Sequence, residues 1–140
     1  MGAGEPNTLA RPWELDLGEA VPSLVRRWTA EALTDLTDDE LDDCLLVVTE
    51  LVSNAYDHGL PPCRLRLFRS LDPCFVRIEV DDASPDRPVL GHSRISDLRG
   101  RGIMIVDRLC KDWGVTSHAD HKTVWAELTC ASAGPLPGNG

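Results

Sequence analysis

The chain has 140 residues, 42% hydrophobic and 26% charged, which suits one globular domain with a packed core and leaves no room for a second. A net charge of −9 and a pI near 4.7 argue against a general nucleic-acid binder, because phosphate backbones reward an excess of Lys and Arg. No apolar run approaches the length needed to span a bilayer, Met1–Pro6 lacks the pattern of a secretory signal, and Pro6 stands where a myristoylation signal wants Ser or Thr; together these predict a cytoplasmic chain without a membrane partner.

The ends, 1–10 and 131–140, are rich in Gly, Pro and Ala without periodicity and read as tails around a single domain over 11–130. Trp13, Leu15 and Leu17 alternate with acidic residues, which predicts a half-buried strand. Pro22 opens a helix through Leu33, with Val21, Leu24, Val25, Trp28, Ala32 and Leu33 on its inner face. Thr37-Asp38-Asp39-Glu40 is a capping box that starts a second helix. Its buried stripe is Leu41, Cys44, Leu45, Val48, Leu51, Val52 and Ala55, and Gly59 followed by Pro61-Pro62 stops it.

Cys63–Phe68 and Phe75–Val80 both alternate strictly, and Leu71-Asp72-Pro73 between them predicts a hairpin. Asp81 to about Gly100 reads as a long irregular loop. A third helix is expected to begin at the glycines Gly100 and Gly102 and to run through Ile103–Cys110, ending near Trp113-Gly114, followed by strands over Val115–His118 and Thr123–Leu128. The order predicts an α+β two-layer sandwich, helices covering one face of a mixed, mainly antiparallel sheet. The five cysteines contain no C-x-x-C pair and suggest neither a disulfide framework nor a zinc site. The four tryptophans read as core. His118 and His121 suit a turn between strands better than a metal pair.

Glu50 and Asn54 lie four apart, hence side by side on a helix face near its end. A carboxylate and a carboxamide there suit Mg²⁺ and a water or hydroxyl, although spacing alone favours a solvated helix face, since such pairs are common in amphipathic helices. Gly100-Arg101-Gly102 runs into an apolar helix, so unpaired backbone N–H groups would make an anion site, with Arg94, Arg99 and Arg101 as nearby cations.

Taken together these residues resemble the Bergerat-fold ATP-binding domains of the GHKL group, and within it the anti-sigma factor serine/threonine kinases. Glu50-Leu51-Val52-Ser53-Asn54-Ala55, continuing to His58-Gly59, is similar to the N box, and Val80-Asp81-Asp82-Ala83-Ser84 falls where the family places an Asp after a buried strand. Gly100-Arg101-Gly102-Ile103 resembles the second glycine box, and Lys122-Thr123-Val124 the terminal strand with its nucleotide-facing Thr. The first glycine box departs from the family, since Asp82-Ala83-Ser84-Pro85-Asp86 contains no Gly.

The resemblance implies ATP and Mg²⁺ as cofactors. Asn54 would ligate Mg²⁺, and Glu50 would be the catalytic base on a serine or threonine hydroxyl. Asp82 would accept the adenine amino group, Gly100, Arg101 and Gly102 would border the phosphates, and Thr123 would add a hydroxyl on the adenine side. Strand alternation from Val76, Ile78 and Val80 favours Asp82 over Asp81 as the inward carboxylate. The implied function is a kinase that binds a sigma factor and phosphorylates an anti-anti-sigma protein of the STAS type, with homodimers common in the family. The alternative is a non-catalytic, ATP-responsive binding module. A detached half of a histidine kinase is disfavoured, as no phosphoacceptor hairpin precedes the domain.

Overall fold

The computed structural model describes residues 12–18, 21–84 and 98–131, with 98–103 described by backbone alone. The predicted tails, apart from Ala131, and most of the predicted loop with Arg94 lie outside these residues. The elements are β1 (Trp13–Asp16), α1 (Pro22–Ala32), α2 (Asp38–His58), β2 (Arg64–Leu71), β3 (Cys74–Asp82), α3 (Leu98–Leu109), β4 (Asp112–Ser117) and β5 (Lys122–Thr129). The five strands form one sheet in the order β1-β2-β3-β5-β4. Among the described strands every pairing is antiparallel.

Alternation decides which face each side chain takes. Leu65 and Leu67 of β2, Val76, Ile78 and Val80 of β3, and Val124, Ala126 and Leu128 of β5 share the inner face through the registers Leu65↔Val80↔Val124 and Leu67↔Ile78↔Ala126. They pack against Cys44, Val47, Val48, Leu51, Val52 and Ala55 of α2. This is the predicted sandwich. The opposite face of the sheet carries Arg66, Arg77, Glu79 and Glu127 in a network of ion pairs, with the Arg77 guanidinium 4.4 Å from the Trp125 ring centroid.

The capping box forms as expected: Glu40 N–H donates to Thr37 Oγ1 at 3.1 Å and Thr37 N–H to Glu40 Oε1 at 3.0 Å. The inner line of α1 differs from expectation. Val21 and Leu24 are exposed, whereas Val25, Thr29 and Leu33 are buried. Thr29 tolerates burial because its hydroxyl donates to the Val25 carbonyl at 2.9 Å, so a polar residue occupies a phase that apolar counting passed over.

Three further expectations are corrected. Cys74 and Cys130 form a disulfide. They are 56 residues apart in sequence, and only the β3–β5 pairing sets them opposite each other. The third helix ends at Leu109, and Trp113 and Gly114 belong to β4. Gly114 pairs with Trp125, and a Cβ on it would come within 3.0 Å of the indole, so this glycine makes room for a ring and does not stop a helix. Nor are the tryptophans all core: Trp13 is exposed, Trp125 lies on the outer face, and only Trp28 and Trp113 pack against the core.

The inner face ends in charge on both sides. At one end Arg69, in phase with Leu65 and Leu67, is buried; its guanidinium pairs with Asp35 before α2 at 3.1 Å and donates to the carbonyls of Ser70 and Phe75. At the other end stands Asp82.

Candidate nucleotide site

Asp82 follows Val76, Ile78 and Val80 on the inner face and is 2% exposed, as alternation predicts. Its Oδ1 accepts the Ser84 N–H at 2.7 Å. The Lys122 ammonium lies 3.3 Å from Oδ1 and 3.1 Å from Oδ2. Gly59, the C-cap of α2, sits directly on the carboxylate: a Cβ at this position would meet Asp82 Cγ at 2.5 Å and Oδ2 at 2.6 Å. The Ala83 N–H donates to the Leu60 carbonyl at 2.7 Å and ties the strand end to the chain leaving the helix. The fold therefore brings Asp82 to the end of the helix that carries Glu50 and Asn54.

Glu50 and Asn54 lie half-buried on α2, one turn apart, on the border between the buried stripe and the exposed side. Neither side chain has a hydrogen-bond partner among the described residues. A half-buried carboxamide whose carbonyl oxygen is uncommitted suits a hard cation such as Mg²⁺, and a carboxylate one turn away suits a hydroxyl proton. Asp57 and His58 are exposed in the last turn, where an imidazole complements the helix dipole.

Thr123 does not join Asp82. It pairs with Asp81 in the β3–β5 register, one residue out of phase with Lys122↔Asp82, and so points to the outer face. Its hydroxyl donates to Asp81 Oδ1 at 2.7 Å. Asp81 in turn holds Arg66 at 2.6 Å. Burial works to lower the Arg66 pKa, and hydrogen bonds from its guanidinium to Asp81 and Glu79 outweigh that effect and hold it above the ordinary guanidinium value. A cleft of about 420 Å³ opens at this end of the sheet. Asp16, Asp81, Asp82 and Asp120 are among its walls, against Arg64 and His121, which makes it a poor receptacle for phosphate.

Gly100 and Gly102 also stand differently from expectation. Helix α3 begins at Leu98, so the glycines lie inside its first turns and not ahead of them. The side chains of Arg99 and Arg101 lie outside the described residues.

Sequence reasoning missed Lys122, Ser84 and the contact made by Gly59. The signal for Lys122 was present: it is in phase with Val124, Ala126 and Leu128, so alternation points it inward. For Ser84 the signal was its place two residues after Asp82, where an Asx-turn puts the backbone amide on the carboxylate. The turn after β4 contains the His118 and His121 rings, stacked 4.2 Å apart, with the His118 N–H donating to the His121 carbonyl as a strand turn requires.

A family model described as histidine kinase-like ATPase domain matches residues 16–128. Among solved structures the chain is similar to the histidine kinase domain from Erythrobacter litoralis EL346 blue-light activated histidine kinase, with 20% identity and a TM-score of 0.49. That match covers 64% of this chain and 44% of the other, less than half of its length. A comparison with curated proteins found no match. No helix among the described residues is long and apolar enough to cross a membrane. With the family model running from the last residue of β1 almost to the end of β5, the chain belongs to the histidine kinase-like ATPase domain family.

Proposed function

We propose that this chain is an ATP-dependent serine/threonine protein kinase that restrains a sigma factor and phosphorylates a small anti-anti-sigma protein of the STAS type. The observation that carries the reading is the seating of Asp82 against the end of the helix bearing Glu50 and Asn54, within a chain of the ATPase family. Phosphoryl transfer asks a protein mainly for positioning, charge neutralisation and a group that orients the nucleophile. Asn54 would hold Mg²⁺, which supplies the neutralising charge when bound. Glu50 accepts the proton of the incoming hydroxyl. The amides of Gly100 and Arg101 at the start of α3 face the phosphates.

A second reading is a non-catalytic module whose affinity for a protein partner responds to ATP. The hold that Lys122 already has on Asp82 favours it, since a base-reading carboxylate committed elsewhere suits weak nucleotide binding. Labelled ATP and Mg²⁺ with a STAS-type substrate separate the two. Transfer that disappears in Glu50→Ala supports the kinase. Retained ATP binding without transfer in the wild type supports the module. Asn54→Ala is expected to weaken ATP binding in Mg²⁺ and to leave binding in EDTA unchanged. Absence of nucleotide binding in Mg²⁺ defeats both readings.

A further inference from the structure

The position on β5 that faces the Asp82 carboxylate is filled by a lysine, and its direction is fixed by the backbone. Lys122 pairs with Asp82 in the antiparallel register and shares a face with Val124, Ala126 and Leu128. Its side chain is 8% exposed, with the ammonium on both carboxylate oxygens. The Ser84 amide takes Oδ1 as well, and Gly59 closes over Oδ2. The neighbouring hydroxyl, Thr123, is turned to the other face and spent on Asp81.

We infer that Lys122 determines nucleotide affinity and base selectivity by occupying the carboxylate that a base amino group would use. The inference rests on the ATP reading given above. An exocyclic amino group brings only a neutral donor to the carboxylate, whereas the ammonium brings a full opposite charge along with its hydrogen bonds. A base gains Asp82 only by displacing Lys122, which leaves an ammonium buried without its counter-ion. Nucleotide is therefore held chiefly by its phosphate end, and adenine and guanine are poorly distinguished.

The test measures binding of ATP and GTP in Mg²⁺ by calorimetry, for the wild type, Lys122→Thr, Lys122→Met and Lys122→Arg. Methionine keeps the volume without the charge, so it serves if the threonine variant fails to fold. The wild type and Lys122→Arg are expected to bind the two nucleotides within about threefold of each other, and the uncharged variants to bind ATP about tenfold tighter with GTP unchanged, the worth of one freed charge-assisted contact. Adding Asp82→Asn to an uncharged variant should abolish the gain. A Kd for ATP in both uncharged variants that is equal to or larger than that of the wild type overturns the inference while leaving the ATP reading intact. Failure of every folded variant to bind either nucleotide overturns the ATP reading and this inference with it.

Discussion

Replacing Gly59 by alanine tests the contact on which the site is built. The backbone there has φ −96°, a conformation open to any residue, so the substitution adds no backbone strain. Its cost is contact alone: the new methyl would stand 2.5 Å from Asp82 Cγ, 2.6 Å from Oδ2 and 2.8 Å from the Ala55 carbonyl oxygen. None of these is the free end of a flexible side chain, since the carboxylate is anchored by Lys122 and the Ser84 amide. Overpacking of this kind costs about 1–3 kcal/mol. Removing a glycine from the unfolded chain returns about 0.4–1 kcal/mol. The net loss is then about 1–2 kcal/mol, or a fall of roughly 3–6 °C in Tm for a domain of this size. Urea and thermal unfolding followed by tryptophan fluorescence measure it. In an Asp82→Ala background two of the three close contacts vanish, so the Gly59→Ala cost should shrink. A Gly59→Ala variant as stable as the wild type, or an undiminished cost in the Asp82→Ala background, refutes the claim that the helix end rests on this carboxylate.

The Arg69–Asp35 pair should answer asymmetrically to mutation, because its partners are 7% and 44% exposed at the side chain. Asp35→Ala strands a buried guanidinium and is expected to cost about 3 kcal/mol; Arg69→Met leaves a carboxylate that water can reach and costs about 1–2 kcal/mol, and urea midpoints in the reverse order would contradict this. Burial, aided by Asp43, pushes the Cys44 thiol from 9.0 up to about 12. The folded state thus keeps a proton that the unfolded chain releases, so this stabilisation is whole below pH 9 and is lost as pH rises towards 12. Between pH 8 and pH 10 the loss from Cys44 is about 1 kcal/mol, and Cys44→Ala, though less stable at both, should show a shallower fall in urea midpoint; an equal fall would exclude the thiol as its source.

Periodicity and capping made the frame legible. Thr37 to Glu40 opened α2, Gly59 closed it, and the alternation of Val76, Ile78 and Val80 put Asp82 rather than Asp81 inside. Errors arose where tertiary neighbours and not local pattern decide. Thr29 is buried because its hydroxyl finds the Val25 carbonyl within its own helix, and Gly114 is a strand residue because Trp125 lies across from it. The Cys74–Cys130 disulfide depends on a pairing between strands far apart in sequence. At the site, the N-box resemblance led to Glu50 and Asn54, while the strand-end resemblance singled out Thr123 when the inward residue was its neighbour. A count of phase back from Leu128 would have found Lys122. The Ser84 amide was legible only as the Asx-turn that an Asp at a strand end favours.

The two charged ends of the inner face give α2 a fixed span. At 1.5 Å per residue its 21 residues run roughly 31 Å. The 9 residues of β3 at 3.3 Å each cover roughly 30 Å. The helix accordingly starts just after Asp35, which Arg69 holds at one edge of the sheet, and ends at Gly59 on Asp82 at the other. Between these contacts the interface is apolar, and two further side chains of α2 act beside them: the Glu40 carboxylate accepts the Ala131 N–H at 2.8 Å near the start of the helix, and the Tyr56 hydroxyl donates to the Leu17 carbonyl at 2.9 Å near its end. Apolar packing resists separation of the layers more than sliding, so the polar contacts at the two ends hold α2 along its axis. They are not equivalent in consequence. Loosening the Asp35 end lowers stability at a distance from the nucleotide residues, whereas disturbing Gly59 moves the carboxylate itself. Asp35→Ala should therefore weaken folding with ATP affinity unchanged, and Gly59→Ala, the milder of the two in stability, should be the one that alters nucleotide binding.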